Sequence, residues 1–476
     1  MIRFLHTADV HLGNRRYNLE ERARDFARAW QDVIVNHAIP ARVDFVLVAG
    51  DFFNARKIDP QTMNHAMIGL RALREAGIPV VAIEGNHDQR EIDDVSRFSW
   101  LRSLSAWGYL NLLEPSKDEE GRMELVPWDE ESREGSYIDI KGARIFGTHW
   151  YGTSAHAAMG LLSDALRRAR QPGLFHILLL HTDIEGQLKR PIPALSVERL
   201  KELRSLVEYV ALGHTHKRFE VDNWAFNPGS LEACSIDEYR EERGFYLVEV
   251  DDAHNVTARH VTDYVRRPFQ RLSFDVSGVA DPESVHAGVL EMVEGEARRH
   301  DPDSGEPAPI VEISLKGHLG FKNSLLDMAL IREEARRITG ALHVMVRNQS
   351  VPVEYAVAAG LDGDTSRHIR ERRIVEDLIA RDNRFRERAP EMASLVLEAK
   401  RRVLGDESPA EILDFIEQQL DSAGARRDGD GAAAEVTRET EPGRAATTAA
   451  ETADREPEIA APASALQALE RNAQVP

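Results

Sequence analysis

From its first residues to about residue 265 the chain alternates short apolar runs with amphipathic stretches, the pattern of an α/β unit whose strands pack between helices. Five of the apolar runs share one design, a strand that ends in Asp, Asn or His. They are IRFLHTADVH (2–11), DFVLVAGD (44–51), PVVAIEGNHD (79–88), HILLLHTD (176–183) and EYVALGHTH (208–216). The segment 118–137 has no period and reads as a surface loop or loose hairpin. Around Arg266-Arg267-Pro268 the pattern restarts as a smaller unit. It predicts a strand over 271–277, a helix over 282–299, a strand over 310–317, a helix over 323–338 and a strand over 341–347, a βαβαβ arrangement.

Amphipathic helices are predicted near 367–381, 390–404 and 408–420. In the last, Ser408 would be the N-cap, Pro409 the first helical residue and Glu411 the capping-box partner. From 421 onward Ala, Thr, Glu, Gly and Pro dominate, so a disordered tail is expected there. The chain is therefore divided into 1–265, 266–352, 353–420 and 421–476.

Composition changes this picture in two places. The one cysteine, Cys234, cannot form an internal disulfide. The N-terminus enters a strand at once and no apolar run approaches a membrane span, so we expect a cytoplasmic protein. The net charge is -20, and residues 421–476 carry 11 acidic and 6 basic side chains, leaving -15 on the remainder. A protein that grips nucleic acid alone shows a basic surface. Either the substrate is not nucleic acid, or metal ions and a partner supply the positive charge.

The strand ends carry the chemistry. In an α/β sheet the carboxyl ends of the strands line the crevice where ligands bind. Asp9 and His11 are two apart, as are His214 and His216, so each pair can project to one side of an extended segment. Glycines 50, 85 and 213 precede the polar residues and permit a sharp turn. Carboxylate and imidazole together suit manganese, zinc or iron. Asp9, His11, Asp51, Asn86, His181, His214 and His216 make seven ligands, too many for one tetrahedral ion and a natural number for two ions sharing Asp51. Any single histidine among the 18 is more often a surface or core residue; the five motifs in order are what carry the reading.

DVH, GDFF, GNHD, the HTD histidine and GHTH resemble, in order, the motifs of the calcineurin-like metallophosphoesterase superfamily. HTADVHLG (6–13) and NPGS (227–230) narrow the resemblance to the SbcD-type nuclease subunits of double-strand-break repair. That resemblance implies a four-layer α/β/β/α sandwich, with the βαβαβ unit as a smaller α+β capping domain facing DNA and a C-terminal helical segment docking on an SMC-like ATPase of the SbcC type. It implies one metal on Asp9, His11, Asp51 and His216, the other on Asp51, Asn86, His181 and His214, and manganese as the ion. His87 would be the catalytic histidine at the scissile phosphate, with Asp88 orienting it. A homodimer is implied as well.

Other residues have plainer readings. His6 is read as a core histidine, and His149 as structural or at the substrate rim. Arg15, Arg16 and Tyr17 either touch a phosphate backbone or form a solvated loop. Asn227–Ser230 is read as a tight turn bracing the site. Arg370 to Arg373, with Arg381, Arg384, Arg386 and Arg388, form a solvated helix face that could also meet DNA or a partner. Two functions compete with a DNA nuclease: a small-substrate phosphoesterase, which the acidity favours, and a non-enzymatic adaptor, which the intact ligand set disfavours.

Overall fold

Strands buried on both faces explain why the apolar runs are nearly continuous. In Ile2–Thr7, Phe4 and His6 face one side while Leu5 faces the other, and all are buried. Phe4 stacks on Phe45 of the neighbouring strand with ring centroids 5.1 Å apart and meets Tyr209 edge-on across the core at the same distance. This alternation builds a computed structural model in which residues 1–89, 99–188, 194–351, 367–380, 385–405 and 407–429 are described.

Two six-stranded sheets face each other. The first runs in the order Val256–Val261, Phe245–Val250, Ile2–Thr7, Phe45–Ala49, Val80–Ile83, Asn111–Leu112. The second runs Phe219–Val221, Ala225–Asn227, Tyr209–Gly213, Phe175–His181, Ala143–Phe146, Tyr137–Ile140. Ile2, Phe4, Leu47, Val81, Ile145, Ile177, Tyr209 and Tyr246 fill the space between them. Helices Glu20–Asp32 and Pro60–Glu75 cover the outer face of the first sheet, and Ala155–Ala169 that of the second. The result is the expected α/β/β/α sandwich. All five motif-bearing strands run parallel to their neighbours of that set, so their ligand-bearing ends share one edge. The 118–137 stretch contains part of a small hairpin, Ser116–Lys117 against Met123–Glu124.

A separate core follows. Strands Phe269–Asp275, Ile310–Lys316 and His343–Asn348 pair in parallel, with helices Pro282–Glu296 and Met328–Thr339 packed against them through Val285, Val289, Ile331 and Ala335. The second helix begins later than the 323 expected, because Asp327 caps it by accepting from the N–H groups of Ala329 and Leu330. This unit is tied to the sandwich by a buried ion network. Arg267 forks onto Asp25 (Nε to Oδ2 2.6 Å, Nη2 to Oδ1 2.7 Å), and Arg22 donates to the same carboxylate at 2.7 Å.

The chain divides into two compact units at residues 377 and 378. In the second, helices Ala389–Leu404 and Pro409–Gly429 pack together, with the Arg402 guanidinium 4.0 Å from the Phe415 ring centroid. The capping box forms: Ser408 N–H donates to Glu411 at 3.1 Å and Glu411 N–H to Ser408 Oγ at 3.4 Å. The last helix runs past residue 420, where the tail was expected to begin, and ends at Gly429. The remainder of that tail, Arg381, Arg384 and residues 353–366 lie outside the described residues. Among the described residues no helix is long and apolar enough to cross a membrane.

Candidate metal centre

Asp9, His11, Asp51 and His214 share an unusual backbone, with φ of 51°, 48°, 50° and 89°. Non-glycine residues rarely adopt this left-handed conformation, and it clusters where a site over-determines the chain. Here it turns each strand end so that a ligand side chain faces the common edge. Backbone bonds lock the turns together: Asp9 N–H donates to Gly50 O at 3.1 Å and His11 N–H to Asp51 O at 3.0 Å.

The glycines are required by crowding. A Cβ on Gly85 would lie 2.1 Å from Asp51 Oδ1, one on Gly50 2.3 Å from His181 Nδ1, and one on Gly213 2.1 Å from the Ala49 carbonyl. The turn Asn227–Ser230 braces the Gly-His-Thr-His loop, since Ser230 N–H donates to His216 O at 3.3 Å and Asn227 Nδ2 donates to the carbonyls of Thr215 at 2.5 Å and Lys217 at 2.8 Å.

The side chains converge. His181 Nε2 lies 3.3 Å from Asp51 Oδ2 and 3.2 Å from Asn86 Oδ1. His11 Nε2 lies 2.9 Å from His216 Nε2 and 3.9 Å from Asp51 Oδ2. Asp9 receives the His214 N–H at 3.1 and 3.0 Å on its two oxygens, which holds that carboxylate against the turn. Ligand atoms of Asp51, His181 and His214 fall within 4.8 Å of one another, as do those of His11, Asp51 and His87.

The donor set fits cations. His181 gives its Nδ1–H to the Ala49 carbonyl at 2.8 Å, so its Nε2 faces two oxygens with no proton to offer unless the ring is charged. His216 gives Nδ1–H to Glu238 Oε1 at 3.0 Å, which leaves its Nε2 confronting the Nε2 of His11. Metal-binding histidines characteristically donate their other ring N–H in this way. Among the described residues Asp51 Oδ2, buried in the middle, meets no well-formed hydrogen bond, although His181 Nε2 lies 3.3 Å away.

The same crowding moves protonation equilibria. Burial would raise the Asp51 carboxyl, but His181, His11 and His87 outweigh it and hold the group well below the usual range. Burial raises Asp9. Burial lowers His181, yet Asp51 and Asp9 prevail and push it up to about 9. Carboxylates and imidazoles in this cluster thus set each other's charge.

His87 is exposed, with its backbone N–H on Asp51 Oδ1 at 2.8 Å, its Nδ1–H on the Asn54 carbonyl at 2.9 Å and its ring edge-on to that of His11, centroids 4.8 Å apart. Asp88 is buried beside His87 and bonds to backbone. Its oxygens are occupied by the N–H groups of Phe52 at 2.7 Å, Phe53 at 3.2 Å and Gly85 at 2.8 Å, so it pins the Asp51 turn to the His87 turn. Burial and the nearby Asp51 raise Asp88 to about 8.

His6 is a core residue as expected, with Nδ1 3.0 Å from the Tyr209 hydroxyl and Nε2 donating to Leu212 O at 3.1 Å. His149 stands apart at the Pro115 carbonyl, 3.2 Å away, on a larger cavity of about 1250 Å³ that none of the seven expected ligands lines. Arg15 is paired with Glu20 and Asp59. It nonetheless lines, with Arg16, Tyr17, His87 and His216, a cavity of about 630 Å³ in front of the cluster. Sequence reasoning missed Glu238, Asn54, Cys234 and Asp183. Cys234 offers a thiol to the same cavity, and Asp183 lies 3.4 Å from His214 Nε2 and accepts the Thr215 hydroxyl at 2.8 Å. Of these only Asp183 had a local signal, as the last residue of the HTD motif.

Residues 2–218 match the calcineurin-like phosphoesterase family. The chain is 41% identical over 278 residues to the DNA double-strand break repair protein Mre11 of Methanococcus maripaludis, covering 56% of this chain and 68% of that one. It is 32% identical over 269 residues to the protein of the same name from Archaeoglobus fulgidus (52% of this chain, 57% of that one). It is 26% identical over 371 residues to that from Aeropyrum pernix (76% and 82%). The matched stretch thus spans little more than half of the Archaeoglobus protein and most of the Aeropyrum one.

Proposed function

Since this chain belongs to the Mre11-type, or SbcD-type, family of calcineurin-like phosphoesterases, we propose that it is a two-metal nuclease that hydrolyses phosphodiester bonds at DNA ends in double-strand-break repair. The observation that carries the reading is the convergence of seven potential ligands from five strand ends, with an exposed histidine beside them. Asp9, His11, Asp51 and His216 would hold one ion, and Asp51, Asn86, His181 and His214 the other, with manganese the ion of choice. Bound there, the ions supply Lewis-acid activation of water and neutralise charge on the phosphoryl group.

The chain's own residues do the rest. Asn54 fixes His87 with Nδ1 protonated, so Nε2 can donate to a phosphate oxygen or the leaving oxygen only as the imidazolium, and accept otherwise. Asp51 sets the height of His87 through its backbone, so metal site and histidine keep one register. Arg15, Arg16 and Tyr17 form the wall along which a sugar–phosphate strand would pass.

The three-stranded unit serves as a DNA-facing cap and the helices over 367–420 as a docking segment for an SMC-like ATPase of the SbcC type, in a cytoplasmic homodimer. The test is direct. Purified chain with Mn2+ is mixed with linear duplex and single-stranded DNA, with and without the ATPase; cleavage that vanishes in Asp51→Ala supports the reading, and intact DNA in every arm overturns it. The net charge of -20 favours a second reading, a small-substrate phosphoesterase. Faster turnover of a cyclic nucleotide than of an oligonucleotide would select it.

A further inference from the structure

The short turn Ile236–Glu238 stands between the metal cluster and the cap, and its three residues are tied to three places. Glu238 Oε1 takes the Nδ1–H of His216 at 3.0 Å, and Oε2 takes the Cys234 N–H at 2.9 Å. Ile236 donates its N–H to the Tyr17 hydroxyl at 2.8 Å, and the Tyr17 ring stacks on His343 of the cap, centroids 5.5 Å apart. Asp237 Oδ1 accepts from Arg271 Nη2 at 2.6 Å and lies 3.7 Å from Arg347 Nη1. Those two arginines come from the outer strands of the cap, and both converge on Glu312 of the middle strand, 2.6 Å from each Nε. Glu312 is 1% exposed, so the arginines are anchored in the cap's interior before they reach Asp237.

We propose that this turn is the link through which the cap sets the position of His216: Glu238 is a positioning residue for the imidazole, and Asp237 is the handle by which the cap holds Glu238. An imidazole can turn about both Cα–Cβ and Cβ–Cγ, so its orientation is fixed by what holds its second nitrogen, and Glu238 supplies that hold. Asp237 and Glu238 are adjacent in a single turn of 3-10 helix, so a shift of one carries the other. From the sandwich side Arg243 grips the same turn, with Nη2 donating to the Glu238 carbonyl at 2.6 Å and Nη1 lying 3.5 Å from its carboxylate. The turn is thus held between two bodies, and a displacement of the cap would reach a metal ligand without passing through the substrate.

The inference rests on His216 being a ligand, and the experiment separates the two ideas. Mn2+ is titrated into the full chain and free Mn2+ is followed by electron paramagnetic resonance. For the unaltered protein two bound ions are expected; none would overturn the two-metal reading itself. Glu238→Ala should weaken one of the two affinities by about 10- to 100-fold, while Glu238→Gln, which keeps an acceptor for the Nδ1–H, should stay within about three-fold. Asp237→Ala removes an exposed carboxylate and leaves Arg271 and Arg347 on Glu312, so the fold is spared; the same affinity should fall by about three-fold or more, and the other should not move. Unchanged affinities in Glu238→Ala would remove the positioning role. Unchanged affinities in Asp237→Ala, with Glu238→Ala weakened, would remove the link to the cap.

Discussion

Asp51 accepts the backbone N–H of His87 through Oδ1 at 2.8 Å while its Oδ2 faces His181 Nε2 at 3.3 Å. One carboxylate therefore spans the exposed histidine and the cluster, and the two can be separated by mutation. His87→Ala keeps the N–H and the whole ligand set but loses the ring. Turnover of DNA should fall by about 10²- to 10⁴-fold, with Mn2+ stoichiometry unchanged by isothermal titration. Loss of metal together with activity would make His87 a ligand instead.

Metal should also stabilise the fold. Asp9 and Asp51 are buried with His11 and His181, and cations bound only by the folded chain relieve the repulsion between the carboxylates. At about 100 times Kd, Mn2+ adds about 2.7 kcal/mol, and calorimetry should show Tm raised by several degrees and returned by a chelator. A Tm indifferent to both would mean that the cluster is satisfied without ions.

Gly85 and Gly77 offer a matched pair. Gly77 has φ +70° and open space out to 4 Å around the place a methyl would take, whereas a Cβ on Gly85 would meet Asp51 Oδ1 at 2.1 Å. Gly77→Ala should cost about 1 kcal/mol of stability through backbone strain alone and spare activity. Gly85→Ala should cost about 1–3 kcal/mol and abolish Mn2+-dependent cleavage, because the Asp51 carboxylate must move. Equal activity in the two variants would refute the crowding argument.

How much of this was legible in the sequence depends on whether the signal was local. The apolar runs before Asp9, Asp51, Asn86, His181 and His214 announced both the strands and the polar side chains that the fold gathers at one edge, and Ser408 with Glu411 announced a helix start that the structure forms. Glu238 announced nothing: it is one of 80 acidic residues and lies far along the chain from His216, so only the folded turn reveals their bond. The bonds of Asp88 were hidden for a related reason: its carboxylate accepts from three backbone N–H groups, two of them from the Asp51 loop, and only the fold brings that loop to it. The left-handed φ of Asp9, His11, Asp51 and His214 was equally invisible, because Asp and His adopt it more often than most residues but still only in a minority of cases.

His6 gives a pH dependence with a definite sign. Burial, opposed only in part by the bond to Leu212 O, lowers its pKa to about 3 from an unfolded value of 6.5. A folded pKa below the unfolded one means the unfolded chain binds more protons between these values, so stability is full above pH 6.5 and lost as pH falls towards 3. Denaturant unfolding of the intact chain should show that slope, and His6→Gln should flatten it. An unaltered slope in the variant would place the acid sensitivity elsewhere.

Arg267 decides whether the cap is locked to the sandwich or merely attached. Its guanidinium forks onto Asp25, its N–H donates to Glu232 Oε2 at 2.9 Å, and Arg22 completes the network from the helix Glu20–Asp32. Arg267 is 7% exposed and Asp25 3%, so water cannot replace what a truncation removes. Arg267→Ala should therefore cost about 3–5 kcal/mol, the loss typical of breaking a buried pair, seen as a lower denaturation midpoint. Arg267→Lys keeps the charge but not the planar fork, so it should recover only part of that loss. Full recovery by lysine would reduce the contact to simple charge neutralisation. A negligible effect of alanine would mean that Arg22 alone satisfies Asp25 and that the cap is held by other contacts.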